Sequence, residues 1–277
     1  MHRIMKRIIL PGIILLLFSS AVFSQSFGDI YRKSIEENAA IPYPFLREAD
    51  VSWSKRMWRL IDLREKMNHP LYYPLSKRPD GRQSLIKVIL GEVEAGNLNA
   101  YDVDDMNVSV TYSDIETKMG GGADTVQVPD MDGNMRDTVI YEAAKEDEVK
   151  QLMLLEEWYF DKKHSTMDVR IIGISPIRVF YDPQLGRMSR VQLFWIRFED
   201  FRDTFASHEA FNRFNDAQRI SFDDIFMQRR FSGTIYAESN VFDDRLINQY
   251  KVGKSALFES ERIDNDLRTF EHDLWEY

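Results

Sequence analysis

Apolar positions along this chain change their period several times, and each change marks a boundary between elements. From Ser52, an N-cap residue type, Trp53, Met57, Leu60, Ile61 and Arg64 recur at spacings of three and four. That spacing predicts a helix carrying Lys55, Arg59 and Lys66 on its other side and stopping before Pro70. LYYP, Leu71 to Pro74, continues as an aromatic loop. A second amphipathic helix is predicted after Ser84, with Leu85, Val88, Ile89 and Val93 on one face and Gly96 placed to end it. Asn107 to Tyr112 reads as a short strand. Met119 to Asp137 holds a triple glycine and the run PDMDGN, and reads as a loop or hairpin.

The period then shortens to two. Leu154, Glu156, Trp158 and Phe160 alternate with Leu155, Glu157 and Tyr159; after DKKHS, Met167, Val169 and Ile171 alternate with Asp168, Arg170 and Ile172, which predicts a hairpin. Arg190 to Phe198 is apolar on both faces and reads as a third strand in the middle of the sheet. Helical spacing returns with Phe198, Phe201 and Phe205 and continues in Phe211 and Phe214. Ser221 with Asp224 forms a capping-box pattern for a helix carrying Phe222, Ile225 and Phe226, closed by Gly233. A last charged helix carries Ile263, Leu267, Phe270 and Leu274 on one face. The fold class expected is α+β, with N-terminal helices, a central antiparallel sheet of at least three strands, and aromatic-rich C-terminal helices.

The first residues change the picture from fold to destination. Arg3, Lys6 and Arg7 precede an apolar stretch from Ile8 to Phe18, and Val22 and Ser24 are small enough for cleavage before Gln25. Residues 1–24 therefore read as a signal peptide, since an apolar core of about 11 residues falls short of the roughly 20 that span a bilayer. Residues 25–50 form an extended arm, because the prolines of IPYPF, Ile41 to Phe45, force extended backbone. The arm packs on its own domain or lies across a neighbouring subunit. Residues 51–240 are the α+β core, with 119–137 as a flexible loop, and 241–277 form a tail containing the amphipathic helix.

Composition narrows the chemistry. Without cysteine there is no disulfide framework, thiol nucleophile, thiolate zinc site or lipid-modified N-terminal cysteine, so membrane attachment must come through a partner. The net charge of −9, about −12 once the signal is removed, argues against free nucleic acid as a partner. His69, His164, His208 and His272 show no ligand spacing. Asp130, Asp132, Gly133 and Asn134 lack the glycine and closing glutamate of a calcium loop and read as a turn. Gly253, Lys254 and Ser255 lack the upstream glycine of a phosphate loop. No serine sits in a nucleophile elbow, so neither catalytic nor metal nor cofactor-binding residues are nominated.

What remains is an excess of aromatic and arginine side chains, the types that dominate the buried centres of interfaces. On a helix Trp53 and Trp58 would point about 140° apart. Either one faces a partner or each is packed by a different part of the domain. Tyr43, Phe45, Trp53, Arg56, Trp58, Arg59 and Arg64 are the partner-binding candidates.

The run WSKRMWRLIDLREKMNHPLYYP, Trp53 to Pro74, resembles the signature of the gliding-motility and Por-secretion protein N family, GldN/PorN. Three further segments resemble it in the same order: WYFDKKHSTMDVRIIGISPI from Trp158, LFWIRFEDFRDTFA from Leu193, and SFDDIFMQRRFSGTIYAESNVFDDR from Ser221. The resemblance implies a non-enzymatic structural protein of the type IX secretion and gliding machinery of Bacteroidota, without cofactors. It further implies a periplasmic ring, built by self-association with an outer-membrane lipoprotein, the K component. Contact with the periplasmic region of the inner-membrane motor component, M, is implied as well. A soluble periplasmic module binding a glycan or a peptide is the competing expectation, and would show an apolar cleft in a monomer.

Overall fold

The computed structural model describes residues 35–129, 135–213, 215 and 217–273. The expected signal peptide, the Asp130–Asn134 turn, Phe214 and Leu274 lie outside them. Lys33–Arg78 and Arg82–Tyr277 form one compact unit, which carries everything below.

The chain enters the fold through a strand. Val51–Asp62, expected as a helix, is β1. The misreading has a physical cause: a spacing of four keeps Trp53, Met57 and Ile61 on one side of a helix and of a strand alike. The odd positions Met57, Arg59 and Ile61 are buried, while Ser52, Ser54 and Arg56 are exposed. That is period two, and it carries Trp58 and Leu60 to the opposite face.

After β1 come the short helix α1 (His69–Tyr72) and α2 (Leu85–Glu94), the latter as expected, with Gly96 beyond it at φ 71°. The strands β2 (Ala100–Tyr101) and β3 (Ser109–Val110) pair, and α3 (Tyr112–Lys118) follows. Gly120 then turns the chain at φ 73°, where a Cβ would lie 2.6 Å from the Arg178 guanidinium. The glycine run leads into a paired hairpin, β4 (Gly122–Pro129) and β5 (Met135–Glu142), the hairpin of the two alternatives read for Met119 to Asp137.

The expected central hairpin is β6 (Val149–Asp161) and β7 (Thr166–Asp182). The third strand differs from expectation. β8 (Arg187–Gln192) lies at the sheet edge, and the chain leaves it at Leu193 before the two-residue β9 (Ile196–Arg197) returns to β7. Leu193 to Ile196 are apolar throughout because they are buried as a connection. Then come α4 (Phe198–Ser207), the paired β10 (Glu209–Ala210) and β11 (Ile220–Ser221), and α5 (Phe222–Met227). The helical spacing expected at Phe211 is not realised, since that residue stands in a loop.

Ser221 caps α5 with the reciprocal capping box read from the sequence. Gly233 does not close that helix. It lies at the entry of β12 (Thr234–Glu238), where an added Cβ would meet the Leu60 carbonyl at 2.9 Å. Helix α6 (Ile247–Tyr250) and the long α7 (Lys254–Asp273) complete the described chain.

The main sheet runs β12-β1-β6-β7-β8, with every pair antiparallel. β6 is its middle strand. One side is covered by two clusters. In the larger, Phe198, Phe201, Phe205, Phe222 and Phe226 from α4 and α5 are fully buried, and the rings of Phe198, Phe201, Phe205 and Phe226 pack with centroids 5.5–6.0 Å apart. In the smaller, Ile263 and Leu267 of α7 pack on Met57 and Ile235. Trp58 and Leu60 join Met153, Leu155 and Ile177 in a separate cluster with Tyr101 and Trp195.

Candidate functional site

The arm meets its own domain at Ile35, Ala40 and Tyr43. Ile35 is buried, Ala40 donates its N–H to Asp203, and Tyr43 is stacked between two guanidinium groups. Arg202 lies 4.3 Å and Arg170 4.8 Å from its ring centroid. Arg170 also donates to the Pro44 carbonyl at 2.6 Å, and Arg202 is fixed by a two-pronged pair with buried Asp223 at 3.1 Å. Burial pushes the Tyr43 phenol up, against the pull of Arg202. Its neighbours two residues away point outward: Ile41 is 82% and Phe45 89% exposed. The segment is held by Tyr43 and offers two apolar side chains to solvent.

Tyr43 also walls a cavity of about 480 Å³ whose floor is Tyr101, Tyr159 and Trp195, with Glu157, Arg170 and Asp200 among its polar groups. It has the aromatic character that a glycan- or peptide-binding module would use.

The candidates on β1 part company by face. Trp53 stacks on Phe270 of α7 at 4.9 Å, whereas Trp58 joins the cluster on the other side of the sheet. Both tryptophans are therefore packed within the chain. Arg56 is exposed and stands 3.7 Å from Glu157. Arg64 is exposed and clasps Asp62 with two nitrogens, and this holds the Asp62 carboxyl below the usual carboxylate range. Arg59 is different, being only 7% exposed. It donates to the fully buried Glu156 at 3.2 Å and to the Gly233 carbonyl at 3.2 Å, and reaches Asp264 of α7 at 3.5 Å. Glu156 also accepts from Arg229 at 2.9 Å and from the Trp158 indole at 3.1 Å. Asp264 also pairs with Arg268 at 2.6 Å, so the network joins β1, β6, α7 and the residues after α5, and Arg59 serves the fold through it.

A second pocket, of about 370 Å³, escaped the sequence reading. Lys66, His69, Tyr73, Arg78, Arg82 and Arg213 line it, with Pro70, Pro74 and Phe211. Tyr73 is 48% and Phe211 44% exposed, and the Arg82 guanidinium lies 5.5 Å from the Phe211 centroid. His69 is edge-on to Tyr73 at 5.5 Å. Among the described residues that line it none is acidic, and Arg82 and Arg213 make further interactions of their own. The LYYP loop beside several basic residues was the visible half of the signal; Phe211 and Arg213 arrive only through the fold.

Among the described residues, no cluster of three or more His, Asp or Glu is placed to hold a metal ion, and no helix is long and apolar enough to cross a membrane. A search of curated proteins found no match. A family model described as "Gliding motility associated protein GldN" matches residues 46–276. With most of the chain matched, the protein belongs to the GldN family, structural components of gliding motility and type IX secretion rather than a known family of enzymes.

Proposed function

We propose that this protein is a periplasmic scaffold subunit that self-associates with an outer-membrane lipoprotein into a ring and touches the periplasmic region of the inner-membrane motor. The family match over residues 46–276 carries the reading. The surface supports it: Ile41 and Phe45 on the arm, and Val241, Phe242, Val252, Leu257 and Phe258 near and on α7, are all at least 60% exposed. Leu257 and Phe258, adjacent on α7, and the arm's Ile41 and Phe45 are the apolar side chains available for such contact.

Affinity extraction of the tagged protein from membranes of its own host, followed by negative-stain microscopy, tests the reading. Megadalton rings containing a lipoprotein are expected. A lone particle of 32.7 kDa or less would sink the ring. The second reading, a soluble glycan- or peptide-binding module, draws on the aromatic floor of the cavity beside Tyr43. It predicts saturable binding of a glycan or peptide by the monomer, lost on Trp195→Ala.

A further inference from the structure

We propose that the described part of the arm, residues 35–46, is an exchange element: in the assembled state its Tyr43 is received between Arg170 and Arg202 of a second copy of this chain. The presence of a second copy rests on the ring reading; the clamp does not.

The receiver is the first argument. Arg202 on α4 is held by buried Asp223 on α5 through two hydrogen bonds of 3.1 Å, so the body of the domain fixes it without help from the arm. Arg170 stands on β7 opposite Glu157, 5.6 Å from the ring centroid of Tyr159. Both guanidinium groups are therefore in place before a ring arrives, and a tyrosine from another chain meets the same two cations. Exchanging an identical element keeps every contact it makes.

The second argument is how the arm is tied down. Between Ala40 and Ala49 the described backbone joins no strand, and it reaches the body through two side chains: Asp203 accepts the Ala40 N–H at 3.1 Å, and Arg170 donates to the Pro44 carbonyl. Before it, a short turn at Ile35–Glu37 packs on α4. The root is firmer, since Asp50 is buried, takes a hydrogen bond from Arg47 at 2.7 Å and accepts the Lys162 N–H at 2.9 Å. A hinge fits between, after Pro44. Pro42 and Pro44 hold the backbone extended, so little order is lost when the arm changes seat. At about 3.3 Å per residue, the stretch from Ile35 to Asp50 reaches roughly 50 Å. That exceeds the roughly 18 Å radius of gyration of a domain this size, so the arm can seat on a neighbour.

Incomplete fit is the third argument, and it favours a neighbour's arm over the chain's own. Phe45 is 89% and Ile41 82% exposed, while a cavity of about 480 Å³ floored by Tyr101, Tyr159 and Trp195 lies directly beside Tyr43 and Leu46. Tethered at Asp50, the chain's own arm leaves its groove partly empty and two large apolar side chains in water. An arm arriving from a neighbour does not share that root and is free to set Phe45 in the cavity, which removes apolar surface from water. If each copy gives its arm to the next, the contact is head-to-tail, the kind that closes into rings.

The chain has no cysteine, so introduced thiols report this contact alone within it. Two differently tagged forms, one Ala40→Cys and the other Asp203→Cys, are co-expressed in the host, and the extracted assemblies are treated with a short bismaleimide. A band at twice the chain mass carrying both tags is expected, since neither form can link within itself. The Ala40→Cys/Asp203→Cys double variant should give a ladder of multiples from assemblies and an internal link from the dilute purified chain. Tyr43→Phe in the Ala40→Cys form should keep the two-tag band, and Tyr43→Ala should weaken it about tenfold or more. An undiminished band with Tyr43→Ala overturns the clamp. Internal links in assemblies without a two-tag band overturn the exchange, and absence of both places the arm on another protein and overturns it too. Rings with internal links alone sink this inference and leave the ring standing; two-tag pairs from material that forms no ring do the reverse.

Discussion

Beneath α7, Arg59 and Arg229 converge on the buried carboxylate of Glu156, and Asp264 reaches Arg59 from the helix while pairing with Arg268. In the pocket beside Tyr73, Lys66, Arg78, Arg82 and Arg213 gather around Tyr73 and Phe211. Both regions are rich in arginine and aromatic rings, the composition associated with interface centres. They differ in burial. Under α7 the charges meet one another among the chain's own strands and helix, so the cluster organises the fold. Around Tyr73 the basic side chains stand at an opening where two rings, Tyr73 and Phe211, are about half exposed. Composition locates both regions, and burial with its ion pairs separates them.

The largest expected effect breaks the first region. Glu156→Ala leaves Arg59 and Arg229 facing each other in a buried site, and removing one partner of a buried pair costs about 3–5 kcal/mol. Urea denaturation should show that loss. Arg59→Glu, which sets two carboxylates together, should be at least as damaging. If Glu156→Ala costs under about 1 kcal/mol, water already reaches the cluster and the contrast with the pocket fails.

A smaller effect is expected where the helix that carries Phe222 and Phe226 begins. Ser221 accepts from the Asp224 N–H at 3.0 Å, and Asp224 accepts from the Ser221 N–H at 2.9 Å. Ser221→Ala should cost about 1 kcal/mol by thermal unfolding, the usual worth of a cap. No change would mean that packing of Phe222 and Phe226 alone sets the helix start.

That cap was legible in the sequence because it is local: four consecutive residues contain both donors and both acceptors. The helix at Leu85–Glu94 and the β6–β7 hairpin were legible for the same reason, since period and turn residues lie within one segment. β1 was not, because spacings of four fit a helix and a strand, and only its pairing with both β6 and β12 decides. The edge position of β8 and the buried connection at Leu193 to Ile196 depend on what covers each face. Of the candidate residues, Tyr43 and Arg59 acquire their roles from Arg202, Glu156 and Asp264, between 97 and 205 residues away for Arg59. The pocket at Tyr73 needs Phe211 and Arg213, which no local pattern joins to Lys66.

Between the buried cluster and the open pocket lies an intermediate case, Asp62, whose carboxyl is held low mainly by its hydrogen bond from Arg64. A depressed folded pKa contributes stability that is present above the ordinary carboxylate range and is lost as pH falls through the folded value. Asp62→Asn should therefore lower the melting temperature slightly near neutrality, by less than about 1 kcal/mol, and converge with the parent in acid. A constant offset at all pH values would show that shape at this turn matters and charge does not.

The smallest effect on stability is expected at Arg56, and it sharpens the comparison most. Its side chain is 61% exposed and its one partner, Glu157, stands at 3.7 Å, so Arg56→Glu should change unfolding by no more than about 0.5 kcal/mol. Arg59, three residues on and on the other face of the same strand, cannot be altered so cheaply. If β1 contributes to assembly, it does so through Arg56, and the variant should melt like the parent while failing to assemble in the extraction experiment. Normal assembly would remove the exposed side of β1 from the contact surface and leave the arm's Ile41 and Phe45 and the apolar side chains of α7 to carry it.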